Sequence, residues 1–327
     1  MREVVVTEHG SPDVLQVRER PDPVPARGEV LIDVRACGVN FADLMARVGL
    51  YKPAPKPPAV VGYEVAGTIA AVGEGVDAAR VGERVMAGTR FGGYASRVTV
   101  AEADAVALPD RLTFAQGAAI PVNYATAWAG LETLKPGERV LIHAAGGGVG
   151  IAATQLARSR GAHILGTASP GKLGGLDLDE RLDYTRRGWW KGVAPVDLVL
   201  DAVGGRSFAR SYALLRPGGR LVAFGAASVY TGEQRSLLRA APQALSMLRG
   251  FNLIAQMEES KAVIGLNMLA LWDDRGTLEP WIAPLGGLLD DGTVQPVIAA
   301  EIPFDRAPEA HRMLTERRNV GKVVLVP

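Results

Sequence analysis

The chain has 327 residues, of which 48% are hydrophobic and 22% charged, and its formal net charge at pH 7 is +1. The length suffices for two domains, the composition is typical of a globular enzyme, and the small charge gives no global field that would attract nucleic acid. The single cysteine, Cys37, excludes an intrachain disulfide and a cysteine zinc cluster, and no apolar run approaches the length of a membrane span.

Short strands separated by Gly and Pro are predicted over the first third of the chain. The segment Met1–Glu8 reads as a strand and lacks the plan of a signal peptide, so we expect a cytoplasmic protein. The predicted elements are two strands within Val4–Arg20, strands over Glu29–Cys37, Gly67–Gly73, Arg84–Ala87 and Gly92–Val100, and a helix over Asn40–Arg47. This pattern favours a twisted, barrel-like β domain.

Strand and helix signals alternate after Leu112. The predicted elements are helices over Thr113–Ile120, Tyr124–Leu134, Val149–Arg160 and Phe208–Leu215, and strands over Val140–His143, Gly161–Ala168, Val196–Asp201, Arg220–Gly225 and Lys322–Val326. The alternation indicates a doubly wound parallel sheet. Residues from Asn267 onward are expected to return to the first domain.

The segment around the first strand of this sheet carries the strongest chemical signal. Its turn fits the dinucleotide fingerprint as Ala145-x-Gly147-x-x-Gly150, with alanine in place of the first glycine. Gly147 would let a pyrophosphate approach the backbone. The amides of Gly148, Val149 and Gly150, in the first turn of the helix, would face the phosphates. Because similar turns occur without any nucleotide, a purely structural turn is the alternative.

Several segments together resemble the zinc-independent members of the medium-chain dehydrogenase/reductase superfamily, of the quinone oxidoreductase type. They are Ala36–Asp43, Val61–Gly67, His143–Gly150 and Asn319–Leu325, and the tail is similar to the branch that includes the synaptic vesicle amine transport protein homologues. The resemblance implies a GroES-like twisted β-barrel catalytic domain (residues 1–121 and 267–327) and a Rossmann NADP-binding domain (122–266), with the active site in the cleft between them.

The same resemblance bears on metal binding. In zinc-dependent relatives a Cys and a His are catalytic ligands, and this chain has Asn40 and Tyr63 at the matching positions. Neither an amide nor a neutral phenol is a suitable zinc ligand, so we expect no metal. Glu64 is interpreted as structural, and His143 as a core or supporting residue.

The nicotinamide preference follows from the second strand of the sheet. NAD-specific sites usually carry an acid about 20 residues past the glycines. This chain instead has Ser169 and Lys172, which suit a 2′-phosphate, and Tyr184 matches a tyrosine of NADP-using relatives. We therefore predict NADPH as the cofactor.

Further site residues are implied by the resemblance alone. Asn40 and Tyr51 match positions near the substrate in quinone reductases, and we add Tyr63 as a third oxygen-binding candidate. Relatives also place four residues near the cofactor, namely Thr126, Phe224, Gly225 and Asn319.

The predicted activity is NADPH-dependent reduction of quinones or α,β-unsaturated carbonyl compounds (enones) by metal-free hydride transfer. An enoyl-thioester reductase and a non-catalytic NADPH-binding scaffold remain as alternatives, and the physiological acceptor and proton donor stay open. We expect a homodimer, since relatives pair edge to edge at the strand matching Arg220–Phe224, and neither a nucleic-acid nor a membrane partner. An apolar helix is also predicted over Leu237–Leu248.

Overall fold

A computed structural model describes residues 1–230 and 252–327. These residues form two compact units. The first contains Met1–Ala125 and Leu269–Pro327, and the second contains the described part of 126–268. The helix predicted over Leu237–Leu248 lies outside the described residues.

Sixteen strands are present in the described residues. They are β1 (Arg2–Val6), β2 (Leu15–Glu19), β3 (Glu29–Val39), β4 (Ala59–Val60), β5 (Glu64–Val72), β6 (Arg84–Gly88), β7 (Arg97–Ala101), β8 (Ala105–Ala107), β9 (Arg139–Ile142), β10 (His163–Ala168), β11 (Glu180–Asp183), β12 (Val196–Asp201), β13 (Leu215–Ala223), β14 (Ala262–Gly265), β15 (Ile298–Pro303) and β16 (Lys322–Val326). The alternation of buried and exposed positions along β2 and β7 is typical of strands with one solvated face.

The helices of the described residues are short apart from the one that follows the glycine-rich turn. They are α1 (Phe41–Arg47), α2 (Phe114–Gly117), α3 (Asn123–Gly130), α4 (Gly148–Ser159), α5 (Pro170–Leu173), α6 (Arg206–Ala213), α7 (Leu253–Glu259), α8 (Met268–Arg275), α9 (Glu279–Ile282), α10 (Gly286–Asp290) and α11 (Ala307–Thr315). Within 1–230 and 252–327, none of them has the length and apolar character needed to cross a membrane.

The first unit is built on a seven-stranded sheet with the order β15-β16-β3-β5-β6-β8, in which β7 also pairs with β3. A smaller sheet has the order β2-β1-β4. Most pairings are antiparallel, and the long strand β3 has β5, β7 and β16 as antiparallel partners. This is the barrel-like β domain that the punctuated strand pattern predicted, with the GroES-like fold that the family resemblance implied.

The described residues of the second unit form a six-stranded sheet in which every pairing is parallel, with the order β11-β10-β9-β12-β13-β14. Its central strands are buried on both faces, as the near-continuous apolar runs predicted. Leu141, Leu165, Val199 and Leu221 form one core cluster there. The Rossmann prediction is confirmed.

Several local predictions differ from the structure: for example, the helix predicted over Tyr124–Leu134 ends at Gly130, and the strand predicted over Gly92–Val100 begins at Arg97. The helix predicted over Thr113–Ile120 ends at Gly117, because the chain must leave the helical conformation before Pro121. The strand Arg220–Phe224 was expected at the sheet edge, and this is wrong. It belongs to β13, which pairs with β12 on one side and β14 on the other, so β14 is the outer strand.

Candidate active site

A glycine-rich turn joins β9 to α4 in the second unit. Ala144 has a positive φ of 53°, and the amide of Gly147 donates to the Ala144 carbonyl at 2.8 Å. Gly147 is the N-cap of α4, so the amides of Gly148, Val149 and Gly150 have no earlier helical carbonyl to bind. A turn of this kind, with a helix dipole behind it, attracts phosphate groups.

Two glycines of the turn have different functions. An added Cβ at Gly150 would lie 2.4 Å from the carbonyl oxygen of Ala144 and 2.7 Å from the Cα of Ala145, so this glycine permits close packing. At Gly147 the nearest such atom, the Ala144 oxygen, is 3.3 Å away, and the outer side is open. The fingerprint requires both properties, and the residues present therefore fit a dinucleotide pyrophosphate.

Four other predicted cofactor residues follow strands of the same parallel sheet. Ser169 follows β10, Tyr184 follows β11, and Phe224 and Gly225 follow β13. Parallel strands end at one edge of a sheet, so these residues and the glycine-rich turn lie along that edge. Because β10 and β11 are neighbours, Ser169 and Tyr184 begin adjacent connections.

The remaining cofactor candidates are distributed differently. The side chain of Lys172 lies against the turn, since an added Cβ at Gly146 would be 3.3 Å from its Cδ atom. Thr126 is a buried residue of α3. Asn319 lies in the first unit, where its side-chain amide donates to the Gly321 carbonyl at 2.8 Å.

A buried hydrogen-bond network supports the glycine-rich turn. The Ser211 hydroxyl donates to Asp201 at 2.7 Å, so Nε2 of His143, 3.0 Å from that hydroxyl, is the donor to it. Nδ1 of His143 then accepts from the Thr167 hydroxyl at 3.1 Å, and the Thr167 oxygen accepts the Ala144 amide at 3.3 Å. Burial lowers the pKa of His143, which keeps the imidazole neutral in this role.

The predicted substrate residues Tyr51 and Tyr63 are neighbours in the first unit. Their rings meet edge to face with centroids 6.3 Å apart, and Phe91 packs against Tyr63 at 4.9 Å. Tyr63 is only 5% exposed, and its hydroxyl has no hydrogen-bond partner in the described part of the chain. Burial raises the pKa of both phenols, so both remain protonated and able to donate.

Asn40, the third substrate candidate, belongs to a buried polar ring. The ammonium group of Lys322 donates to Oδ1 of Asn40 at 2.6 Å and also to Oε1 of Glu64. Nδ2 of Asn40 donates to the same Oε1 atom at 2.9 Å, and Oε2 of Glu64 accepts the Val122 amide at 2.7 Å. Glu64 is fully buried and the Lys322 side chain is 3% exposed, so this ion pair lies outside bulk water.

The strand register brings the ring together. Val39 on β3 faces Val323 on β16, which places Asn40 beside Lys322. Gly38 makes room for the Glu64 carboxylate, because an added Cβ there would lie 2.5 Å from Oε1 of Glu64 and 2.3 Å from the Ala118 carbonyl oxygen.

A second buried network holds the backbone of Asn40. The carboxylate of Asp43 accepts the Asn40 amide at 2.7 Å, the Gly62 amide at 3.1 Å and the Tyr94 hydroxyl at 2.9 Å. Burial raises the pKa of Asp43 to about 7, and these donors oppose the shift. Nε2 of His311 lies 3.2 Å from the Tyr94 oxygen, so the network continues into α11.

Sequence reasoning missed Lys322 as a site residue, and it left Glu64 without a defined partner. The available signal was a lysine as the first residue of an otherwise apolar final strand, where a buried charge requires a partner. Cys37 is buried and its thiol pKa is raised by burial, as expected of a small core residue.

Comparisons with known proteins agree with this arrangement. Residues 26–110 match the family model for the alcohol dehydrogenase GroES-like domain, and residues 176–325 match the model for zinc-binding dehydrogenase. The rat synaptic vesicle membrane protein VAT-1 homolog is 37% identical over 343 residues, covering 100% of this chain and 84% of the relative.

Two solved structures extend the comparison. The human VAT-1 homolog-like protein has a TM-score of 0.86 at 30% identity and covers 100% of this chain and 98% of its own. The quinone oxidoreductase from Thermus thermophilus, solved also as its complex with NADPH, has a TM-score of 0.80 at 31% identity, with 100% of both chains covered.

The name of the second family model raises the question of zinc. Zinc prefers nitrogen and sulfur ligands, whereas the residues that the resemblance matches to the zinc ligands are Asn40, an amide, and Tyr63, a phenol. The Lys322 ammonium already binds both Asn40 and Glu64. Over residues 1–230 and 252–327, no three His, Cys, Asp or Glu side chains cluster as metal ligands. The residues at this position do not fit a zinc ion.

The fold, the glycine-rich turn and the similar proteins all indicate the same family. A relative 37% identical over the whole chain establishes common family membership, and structures at about 30% identity share both units. The chain belongs to the medium-chain dehydrogenase/reductase superfamily and is an oxidoreductase of its quinone oxidoreductase type.

Proposed function

We propose that this chain is an NADPH-dependent reductase of quinones or α,β-unsaturated carbonyl compounds that works without a metal ion. The observation that carries the proposal is the buried hydroxyl of Tyr63, which lies beside Tyr51 and has no hydrogen-bond partner among residues 1–230 and 252–327. Leaving a buried hydroxyl unpaired costs about 1–3 kcal/mol. A substrate oxygen that accepts from Tyr63 would recover this free energy.

The chemistry of such acceptors suits a site of neutral donors. When a quinone or enone accepts hydride, the negative charge delocalises onto its oxygen as a phenolate or enolate. Hydrogen-bond donors already in place can stabilise that oxygen, and a Lewis-acid metal is not required. Burial raises the pKa of Tyr51 and of Tyr63, so both are protonated donors at physiological pH.

A bound nicotinamide dinucleotide would supply the hydride. The glycine-rich turn fits its pyrophosphate, and three features support the phosphorylated form. Ser169 and Tyr184 begin adjacent connections at the edge of the sheet, and Lys172 packs against the turn. Asp183, an acidic residue at the same edge, already accepts a hydrogen bond from the Thr185 hydroxyl and forms an ion pair with Arg186. The Thermus relative was solved with NADPH.

The test is Tyr63→Phe, which removes only the hydroxyl. We expect kcat with a quinone to fall roughly a hundredfold, as for loss of an oxyanion donor, while NADPH binding is unchanged. The same variant should unfold at higher urea, with a gain of about 1 kcal/mol, because the oxygen that it loses is buried without a partner in the described part of the chain. Tyr212→Phe, in the second unit, is the control and should retain activity.

An acceptor panel distinguishes the related activities. Nicotinamide absorbance is followed with a quinone, an enone, an enoyl thioester and an aldehyde, each with EDTA. Turnover of the quinone or enone supports the proposal. Turnover restricted to the enoyl thioester would assign the other reductase class, and NADPH binding without any turnover would indicate a scaffold. Wild-type kcat in Tyr63→Phe would contradict the function assigned to that hydroxyl.

A further inference from the structure

The polar ring of Lys322, Glu64 and Asn40 is more elaborate than structural support requires. A lysine and a glutamate are both withdrawn from water, which is costly unless the remaining donors and acceptors are satisfied. Here the two charged groups share one neutral partner, the side-chain amide of Asn40. The position is the one at which the residues do not fit a zinc ion.

The ring fixes which way the Asn40 amide faces. Its Oδ1 atom accepts from an ammonium group, and its Nδ2 atom donates to a carboxylate. Turning the amide over would oppose Oδ1 to the Glu64 carboxylate and Nδ2 to the Lys322 ammonium, and both contacts would be repulsive. Neutral neighbours would hold the amide less firmly, because hydrogen bonds to ionised groups are about twice as strong as those between neutral groups.

The fixed orientation leaves one donor for a ligand. Nδ2 carries two hydrogens, and one of them is bound to Oε1 of Glu64. The described residues provide no second acceptor for Nδ2. The ammonium on Oδ1 also withdraws electron density from the amide, and this strengthens the remaining N–H as a donor because polar groups in a network polarise one another.

We propose that Lys322 is a positioning residue that acts through Asn40. With Glu64 it locks and polarises the Asn40 amide, so that the second N–H donates to the oxygen of the hydride acceptor. A protein-borne cation thus takes over the activating role that a metal has in zinc-dependent enzymes. This inference rests on the proposed reductase function.

The kinetic test is a mutant cycle on kcat for quinone reduction. Because Lys322→Met leaves Glu64 buried and unpaired, the working variant is Lys322→Met/Glu64→Gln, in which both charges of the polar ring are removed together. We expect it to lose about as much kcat as Asn40→Ala, roughly a hundredfold. Adding Asn40→Ala to it should cause little further loss, since residues that act as a unit are non-additive. NADPH affinity should not change in any of these variants.

The control is a buried cation elsewhere in the chain. Arg220→Met removes the guanidinium that binds Glu138 in the second unit, where it has no contact with Asn40. It should lower stability and leave kcat with the quinone intact. If the fold-losses in kcat of Lys322→Met/Glu64→Gln and of Asn40→Ala multiply in the combined variant, the residues act independently. That result would overturn the proposal and leave the reductase function in place.

A second measurement does not depend on turnover. The chain has five asparagines, so NMR of protein labelled at asparagine side-chain nitrogens gives few signals, and Asn40→Ala identifies the one from Asn40. This signal should move in Lys322→Met/Glu64→Gln and stay in place in Arg220→Met. An Asn40 signal that keeps its chemical shift in Lys322→Met/Glu64→Gln would overturn the proposal that Lys322 and Glu64 fix the amide. A wild-type protein that reduces no acceptor, with the Asn40 signal moving as expected, would refute the reductase function alone.

Discussion

Nε of Arg47 donates a hydrogen bond to Nδ1 of His311 at 3.2 Å, and both side chains are fully buried. Because a guanidinium nitrogen can only donate, Nδ1 must be unprotonated, and Nε2 carries the hydrogen toward Tyr94. If His311 were protonated, the N–H at its Nδ1 would face the Nε–H of Arg47, and two donors would oppose each other. Burial and the adjacent Arg47 charge accordingly hold the pKa of His311 well below 6.5.

This contact predicts a loss of stability in acid. Below pH 6.5 the unfolded chain protonates His311 and the folded chain does not, so the free energy of unfolding falls as pH decreases, by up to about 1.4 kcal/mol per pH unit. His311→Gln can accept from Arg47 and donate to Tyr94 without titrating. Urea unfolding from pH 7.5 to pH 4.5 should show a steeper loss in the wild type than in this variant, and parallel curves would contradict the prediction.

The close approach of Gly38 to Glu64 predicts a specific intolerance. Gly38→Ala would place a methyl group 2.3 Å from the Ala118 carbonyl and 2.5 Å from Glu64, so the free energy of unfolding should fall by about 1–3 kcal/mol or more. Quinone turnover should fall together with stability, because the polar ring around Asn40 depends on the Glu64 carboxylate. The control is Gly265→Ala in β14, where the added methyl meets no atom of residues 1–230 and 252–327 within 4 Å. Equal urea midpoints for the two variants would refute the steric argument.

The Lys322–Glu64 pair predicts a rescue. Lys322→Met alone leaves a buried carboxylate without its cation and should cost about 3–5 kcal/mol of unfolding free energy. Adding Glu64→Gln removes that charge while its amide oxygen can still accept from Val122, so much of the loss should return. Chemical denaturation of both variants checks this, and a double variant no more stable than the single one would be inconsistent with the ion pair.

The position of Lys172 predicts a change in cofactor preference. Lys172→Gln removes a positive charge beside the glycine-rich turn, so kcat/KM for NADPH should fall about ten- to a hundredfold, the range for a hydrogen bond to a charged group. The value for NADH, which has no 2′-phosphate, should hardly change. Lys191→Gln, elsewhere in the same unit, is the control. Wild-type values that are equal for NADH and NADPH would refute the preference itself.

Local patterns predicted the fold of the second unit well. The strand at Val196–Asp201 and the helix after Gly147 follow from runs of neighbouring residues and from turn chemistry, which a sequence displays directly. β13 was harder. It begins at Leu215, the last residue of the helix predicted over Phe208–Leu215, because pairing with β12 around an irregularity extends the strand through Pro and Gly.

Long-range register limited the prediction of the candidate site. Lys322 contacts residues 282 and 258 positions away, and these contacts exist only because β16, β3 and β5 are adjacent strands. A sequence displays the lysine but not its partners. The same is true of His311, which meets Tyr94 from 217 positions away. Resemblance supplied Asn40 as a candidate, and the structure supplied the charges around it.

The described residues of the first unit come from two separate stretches of the chain, so they are synthesised at different times. Glu64 and Asn40 are translated early, whereas Lys322 leaves the ribosome only after the whole second unit. Domains tend to fold in the order in which they are made, so the continuous second unit can fold while the first still lacks β16 and its cation. During that interval Glu64 has no counter-charge, and chaperones would meet an incomplete sheet whose strand β3 lacks one neighbour.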